Sequence, residues 1–222
     1  FKGKEGEFTT SRKIKERLKH FSEQLRRVSR SRSNWFGLLF AGMGGAAYEA
    51  VGAVAGPFMI DRGISSHDVG IFFAVPSVLG LLTGALVGGF LADKLGRRRS
   101  VAIFLIFFVS VICALAGIDV LFGEAGRNWI VILLAILYIC IGLFTAASYA
   151  LFMDITDPRI GATQFSAFMG ATNGCESWSS FAVGRLISGY NYAGAFLIMG
   201  AFSLASLPVL RTMKGTVTRP NI

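Results

Sequence analysis

The amino-acid sequence predicts an all-α polytopic membrane protein, and three observations carry that prediction. Of its 222 residues 53% are hydrophobic and only 16% charged, whereas soluble domains carry roughly a quarter charged residues. Apolar runs recur near the roughly 20 residues that cross a bilayer core. The stretch from Gly84 to Arg99, GALVGGFLADKLGRRR, passes from a glycine-dotted apolar helix directly into Asp93, Lys94 and three arginines. That junction suits a membrane helix leaving the bilayer, with its charges retained in water.

Residues 1–33 hold eleven of the 22 lysines and arginines. Ile14, Leu18, Phe21, Leu25 and Val28 recur there at steps of three and four, so the segment is expected to form a basic amphipathic cytoplasmic helix. It suits either an anionic membrane surface or a solvated linker. Six spans are predicted after it, at 35–60, 69–92, 100–118, 129–152, 162–189 and 193–210, joined by short connections. The expected division is therefore a linker helix (1–33), a six-helix transmembrane bundle (34–210) and a cytoplasmic tail (211–222). Pro76 should bend the second span. The first residue is Phe1 rather than Met, so the chain is expected to be a piece of a longer product.

Counting lysines and arginines orients this topology. Nineteen of the 22 fall in the 1–33 segment, the 93–99 loop, Arg159 and the tail, while Arg62 and Arg127 fall opposite and Arg185 lies within a span. Both termini are thus expected in the cytoplasm. The basic residues behind the net charge of +9 fall in flanks and loops, Arg185 apart, which points to lipid and topology rather than nucleic acid. Cys113, Cys140 and Cys175 all fall within predicted spans and are expected to be small buried hydrophobes, neither disulfides nor metal ligands. No glycine-rich phosphate loop precedes a Lys-Ser or Lys-Thr pair, and no metal-ligand spacing is present; neither an enzyme nor a cofactor is expected.

Glu49 is the sharpest candidate for chemistry. A carboxyl at mid-span is costly and rare without a role. It shares a stripe with Gly42, Gly45, Gly52 and Gly56, so it should face packed protein or a cavity, where it can load and release a proton. Glu176 is the second mid-span acid, beside a small and polar stripe of Gly170, Asn173, Ser177, Ser180 and Gly184. Arg185 lies half a turn round the same helix, poorly placed to pair with Glu176 and better suited to anchoring. Tyr138, Thr145 and Tyr149 share one face of the fourth span, with Ser148 nearby. Hydroxylated rings there can stack on a solute and bond its polar edges, or can simply pack.

The set Gly89, Asp93, Gly96, Arg97 and Arg98 resembles the cytoplasmic loop signature of major facilitator superfamily transporters. Asp157-Pro158, Gly161, Thr163-Gln164-Phe165 and the polar helix after them are similar to AmpG-type muropeptide permeases and acetyl-CoA transporters. Met59 to Ser65 and Val69-Gly70-Ile71 share that likeness. The resemblance implies the C-terminal half of a twelve-helix facilitator: a secondary transporter, proton-coupled, taking a small solute such as a sugar-peptide into the cytoplasm across the inner membrane. Within that reading Glu49 and Glu176 are the candidate proton carriers, and Tyr138, Thr145, Tyr149 and Asn173 the candidate solute contacts. It also implies a cytoplasmic gate in which Asp93, Arg97 and Arg98 meet Asp154 and Asp157. The partners implied are membrane lipid, a small-molecule solute, protons, and an N-terminal half or partner chain; no nucleic acid is among them. Two rivals stay open: a non-transporting relative serving as a structural or assembly subunit of a larger membrane complex, and a channel. The lack of a repeated acid or carbonyl ring disfavours the channel.

Overall fold

The computed structural model of the chain describes residues 32–213, which are all-helical apart from short turns. The expected linker helix therefore lies outside the described residues, except for its last two positions. The helices are α1 (Arg32–Ala41), α2 (Ala46–Asp61), α3 (Ser66–Ala74), α4 (Pro76–Leu95), α5 (Arg97–Phe122), α6 (Arg127–Ile155), α7 (Gly161–Leu204) and α8 (Leu207–Thr212). Four stretches are long and apolar enough to cross a membrane: Arg32–Asp61, Ser66–Leu95, Arg97–Ile155 and Pro158–Thr212. The last two have 59 and 55 residues, well over twice the length that one crossing needs.

Both long stretches fold back on themselves. A 3₁₀ turn at Gly123–Gly126 separates α5 from α6, which pack on each other. In α7 the reversal rests on one residue, Asn191, whose φ of 57° lies in the left-handed region that asparagine tolerates better than most residues. Its side-chain oxygen accepts a hydrogen bond from the Gly194 backbone N–H at 3.1 Å, capping the helix that follows. The fold-back brings the Trp178 and Phe202 rings to 4.9 Å, although 24 residues separate them.

The first span is not the continuous helix expected from 35–60. It breaks into α1 and α2 at a turn through Gly42–Gly45, where Gly42, Gly44 and Gly45 weaken the helix. A break inside hydrocarbon exposes backbone groups that water cannot satisfy. Two distant side chains supply partners. The Ser203 hydroxyl, fully buried, accepts from the Ala47 N–H at 2.8 Å, and the Trp178 indole N–H donates to the Gly42 carbonyl at 2.9 Å. Pro76 acts as expected, dividing the second span into α3 and α4 at Val75.

The tightest helix crossing is α4 on α6. A Cβ built at Gly84 would overlap the Ile139 carbonyl oxygen, and one at Gly88 would lie 2.7 Å from the Leu143 Cα. Opposite them, a Cβ at Gly142 would overlap the Leu81 carbonyl oxygen. Only glycine permits this backbone approach. An aromatic cluster forms the core where α1, α2, α5, α6 and α7 meet, with Phe152 stacked on Phe168 at 5.1 Å and Phe108 edge-on to Phe144 at 5.1 Å. Leu79, Leu82, Leu86 and Phe90 line the outward face of α4, all more than half exposed. That apolar stripe suits acyl chains rather than water. Cys140 and Cys175 are buried as expected, but Cys113 is exposed: it lies on the outward face of α5, where a thiol behaves as a small apolar group against lipid.

Candidate functional site

Restarting the helix at Ala46 places Glu49 in the first turn of α2. The broken span thus aims a carboxyl, with the positive end of a helix dipole behind it, into the interior of the bundle. Glu49 is half-buried and lines a cavity of about 400 Å³ between α2, α4, α6 and α7. That volume falls within the range of small-molecule sites. Glu176 lines the same cavity, as do Tyr138, Thr145 and Tyr149. Five of the six residues singled out for protons and solute therefore converge from three helices. Asn173 is exposed and is not among the residues lining the cavity; it lies three positions from Glu176, further along the open face of α7.

Sequence reasoning passed over Tyr48. It stands beside Glu49, lines the cavity, and meets the Phe108 and Phe144 rings edge-on at 5.6 and 5.8 Å. Its signal was adjacency to a mid-span acid, which helical periodicity places on a different face. The glycine stripe also divides in two. Gly42 and Gly45 belong to the turn, whereas Gly52 has nothing within 4 Å of a built Cβ and lines the cavity. Gly52 therefore widens the cavity rather than making a helix contact.

Behind Glu49 lies a second, narrow chamber with room for about one water molecule. It shares Tyr48, Glu49, Thr145 and Tyr149 with the wide cavity and extends to Ser148, Thr172 and Cys175. The Ser148 hydroxyl is buried, the residue being 3% exposed, and has no hydrogen-bond partner among the described residues. Thr145 differs, since its hydroxyl bonds back to the Ile141 carbonyl at 2.9 Å.

At one end of the bundle, the residues expected to form a gate come together only in part. Gly96 adopts a φ of +88°, which lets the chain turn between α4 and α5. The Arg97 guanidinium then pairs with the Asp154 carboxylate on α6, donates to the Ala150 carbonyl at 2.9 Å, and lies 3.5 Å from Asp93. Asp157 does not join this group. It caps the 3₁₀ turn Pro158–Ile160, accepting from the Arg159 N–H at 2.9 Å, while its own N–H donates to Gln164. Proline after aspartate favours that local bond over a distant partner. Arg98 is half-buried beside this group, and Gly89 has open space at its Cβ position. Arg185 rests over the Phe181 ring, 5.2 Å from its centroid, in keeping with anchoring.

The opposite end carries a clasp that the sequence did not signal. Arg62 pairs with Asp119 at the end of α5 through two nitrogens, and lies over the Phe58 and Tyr192 rings at 5.4 and 5.6 Å. The Tyr192 hydroxyl in turn bonds the Asp61 carboxylate at 2.8 Å. Bonding to Asp119 raises the Arg62 pKa above the usual arginine value.

A bundle of broken and folded-back apolar helices around a polar central cavity defines a multi-pass helical membrane protein. Residues 34–221 match the Major Facilitator Superfamily, and the chain belongs to that family. It is similar to the 3-(3-hydroxy-phenyl)propionate transporter of Escherichia coli (strain K12), being 42% identical over 73 residues that cover 31% of this chain and 17% of that protein. Its fold is similar to that of a crystal structure of an auto-inhibited POT family peptide transporter, with a TM-score of 0.61 and 17% identity over 86% of this chain and 40% of that one. The chain thus spans less than half the length of either protein. These likenesses support the superfamily, a family of transporters rather than enzymes, and do not single out the muropeptide permeases within it.

Proposed function

We propose that the chain is the C-terminal six-helix half of a proton-coupled facilitator that takes up a small organic solute by alternating access. In this reading the two fold-back stretches cross the membrane twice each, giving six crossings, with the Arg97 end and both termini in the cytoplasm as the lysine and arginine distribution favours. Glu49 and Glu176 carry protons, Tyr138, Thr145 and Tyr149 contact solute, and Asn173 faces the other half. The Arg97–Asp154–Asp93 group holds helix ends together in one access state, with Arg98 beside it. One observation carries the reading: two mid-span carboxyls and three tyrosines share a cavity of about 400 Å³ beside a broken helix, the arrangement in which transporters place their sites. The E. coli relative's name points to an aromatic acid, and the AmpG-type resemblance to a sugar-peptide. Both solutes present a ring that tyrosine can stack on.

The test is uptake of an anhydromuropeptide and of 3-(3-hydroxyphenyl)propionate into vesicles bearing the intact gene product, with and without an inward proton gradient. Gradient-dependent accumulation of one of them, lost in Glu49→Gln, is the expected outcome. Accumulation that stays gradient-dependent in both Glu49→Gln and Glu176→Gln refutes the coupling role.

A further inference from the structure

We infer that the solute group this cavity receives is an organic cation, an amine or quaternary ammonium on a ring-bearing or apolar body, with Glu176 as its counter-charge. The inference rests on reading the cavity as the solute site. Among the described residues lining it, two are carboxylic acids and none is Lys, Arg or His. The nearest basic residue along α7, Arg185, lies nine positions beyond Glu176, over Phe181. A half-open cavity of one sign concentrates the opposite charge.

The rings give the same answer by separate physics. Tyr48, Tyr138 and Tyr149 line the cavity from two helices, and the faces of aromatic rings attract cations, quaternary ammonium groups above all. Tyr149 is 40% exposed, so part of its ring is open to a solute. The narrow chamber beside Glu49 has room for about one water. Its Ser148 hydroxyl is buried without a protein partner, and a buried hydroxyl in that state is ordinarily satisfied by water or ligand. While the cation is bound, Glu176, exposed on the cavity wall, is engaged as its counter-charge, and Glu49, at the seam of the two spaces, remains the proton carrier.

Two probes of similar shape and opposite charge test this: radiolabelled benzyltrimethylammonium and 3-phenylpropionate, bound to the intact gene product in detergent. The cation is expected to bind at least about tenfold more tightly than the anion. Glu176→Gln should weaken the cation about tenfold, and Tyr149→Leu by about two- to fivefold. Glu176→Asp, which keeps the charge, should stay within about threefold of wild type and so guards against misfolding as the cause. Anion binding as tight as cation binding, or cation binding unchanged in Glu176→Gln, overturns the inference. Proton-driven accumulation of 3-phenylpropionate without cation binding would overturn it while leaving the transporter reading intact. Failure of both probes to bind, with no proton-driven uptake of any probe, would remove both.

Discussion

The Ser203→Ala variant tests whether the broken first span is held by the partners seen in the fold. Ser203 is fully buried, and its hydroxyl is the acceptor for the Ala47 N–H just past the break. Alanine leaves that N–H without a partner in a site water does not reach. A buried unsatisfied donor costs about 1–3 kcal/mol, and hydrogen bonds inside membrane bundles fall toward the lower part of that range, up to about 1.7 kcal/mol. At about 2–4 °C per kcal/mol for a chain of this size, the unfolding midpoint should fall by about 2–7 °C. Ser206→Ala is the matched control. Its hydroxyl is equally buried and bonds the Ser203 carbonyl at 2.7 Å, but that carbonyl also accepts the Ser206 backbone N–H at 3.0 Å. Losing this hydroxyl orphans nothing, and the midpoint should move by less than about 2 °C. The assay is thermal unfolding of purified protein in detergent, followed by tryptophan fluorescence. Equal midpoints for Ser203→Ala and wild type, or a larger loss in the control, would refute the argument that the break depends on α7.

Two further perturbations follow from the packing and the clasp. Gly84→Val drives a side chain into the Ile139 backbone, which cannot yield as a side chain can, so a loss of 3 kcal/mol or more is expected at about the upper end for overpacking. Gly89→Ala, with open space at its Cβ, should behave as wild type; the yield of monodisperse protein by size-exclusion chromatography separates the two. Asp119→Ala frees Arg62 and should cost about 1–2 kcal/mol, below the full value for a charged hydrogen bond because Arg62 is 21% exposed. The raised Arg62 pKa stabilises the fold below the unfolded-state value, and that stability is lost only as pH climbs through the still higher folded value. The Asp119→Ala loss in thermal midpoint should therefore be the same at pH 6 and pH 9.

Much of the lining of the candidate cavity was legible before any coordinates, because the bilayer prices charge so heavily. Glu49 and Glu176 stood out as carboxyls inside apolar runs, and a mid-span acid must find a cavity or a partner. Tyr138, Thr145 and Tyr149 fell on one face because positions seven and four apart nearly repeat on a helix. Tyr48 escaped notice since no single-helix pattern connects it to that face; only the turn at Gly42–Gly45 brings it there. Asp157 was grouped with the gate by proximity in sequence, and the proline after it turned its side chain to a local cap instead.

The sequence by itself determined the class of protein and its topology signals, through apolar runs of membrane length, the glycine-and-arginine loop at 89–98, and the one-sided distribution of lysine and arginine. Those properties are sums along the chain, and one dimension is enough to read them. Tertiary structure alone decided that the first span breaks, that Ser203 and Trp178 secure the break, that Arg62 meets Asp119, and that the two acids share one cavity. Each of these joins residues dozens to more than a hundred positions apart. Such pairings depend on which helix faces which, and the periodicity of one helix carries no information about its neighbour.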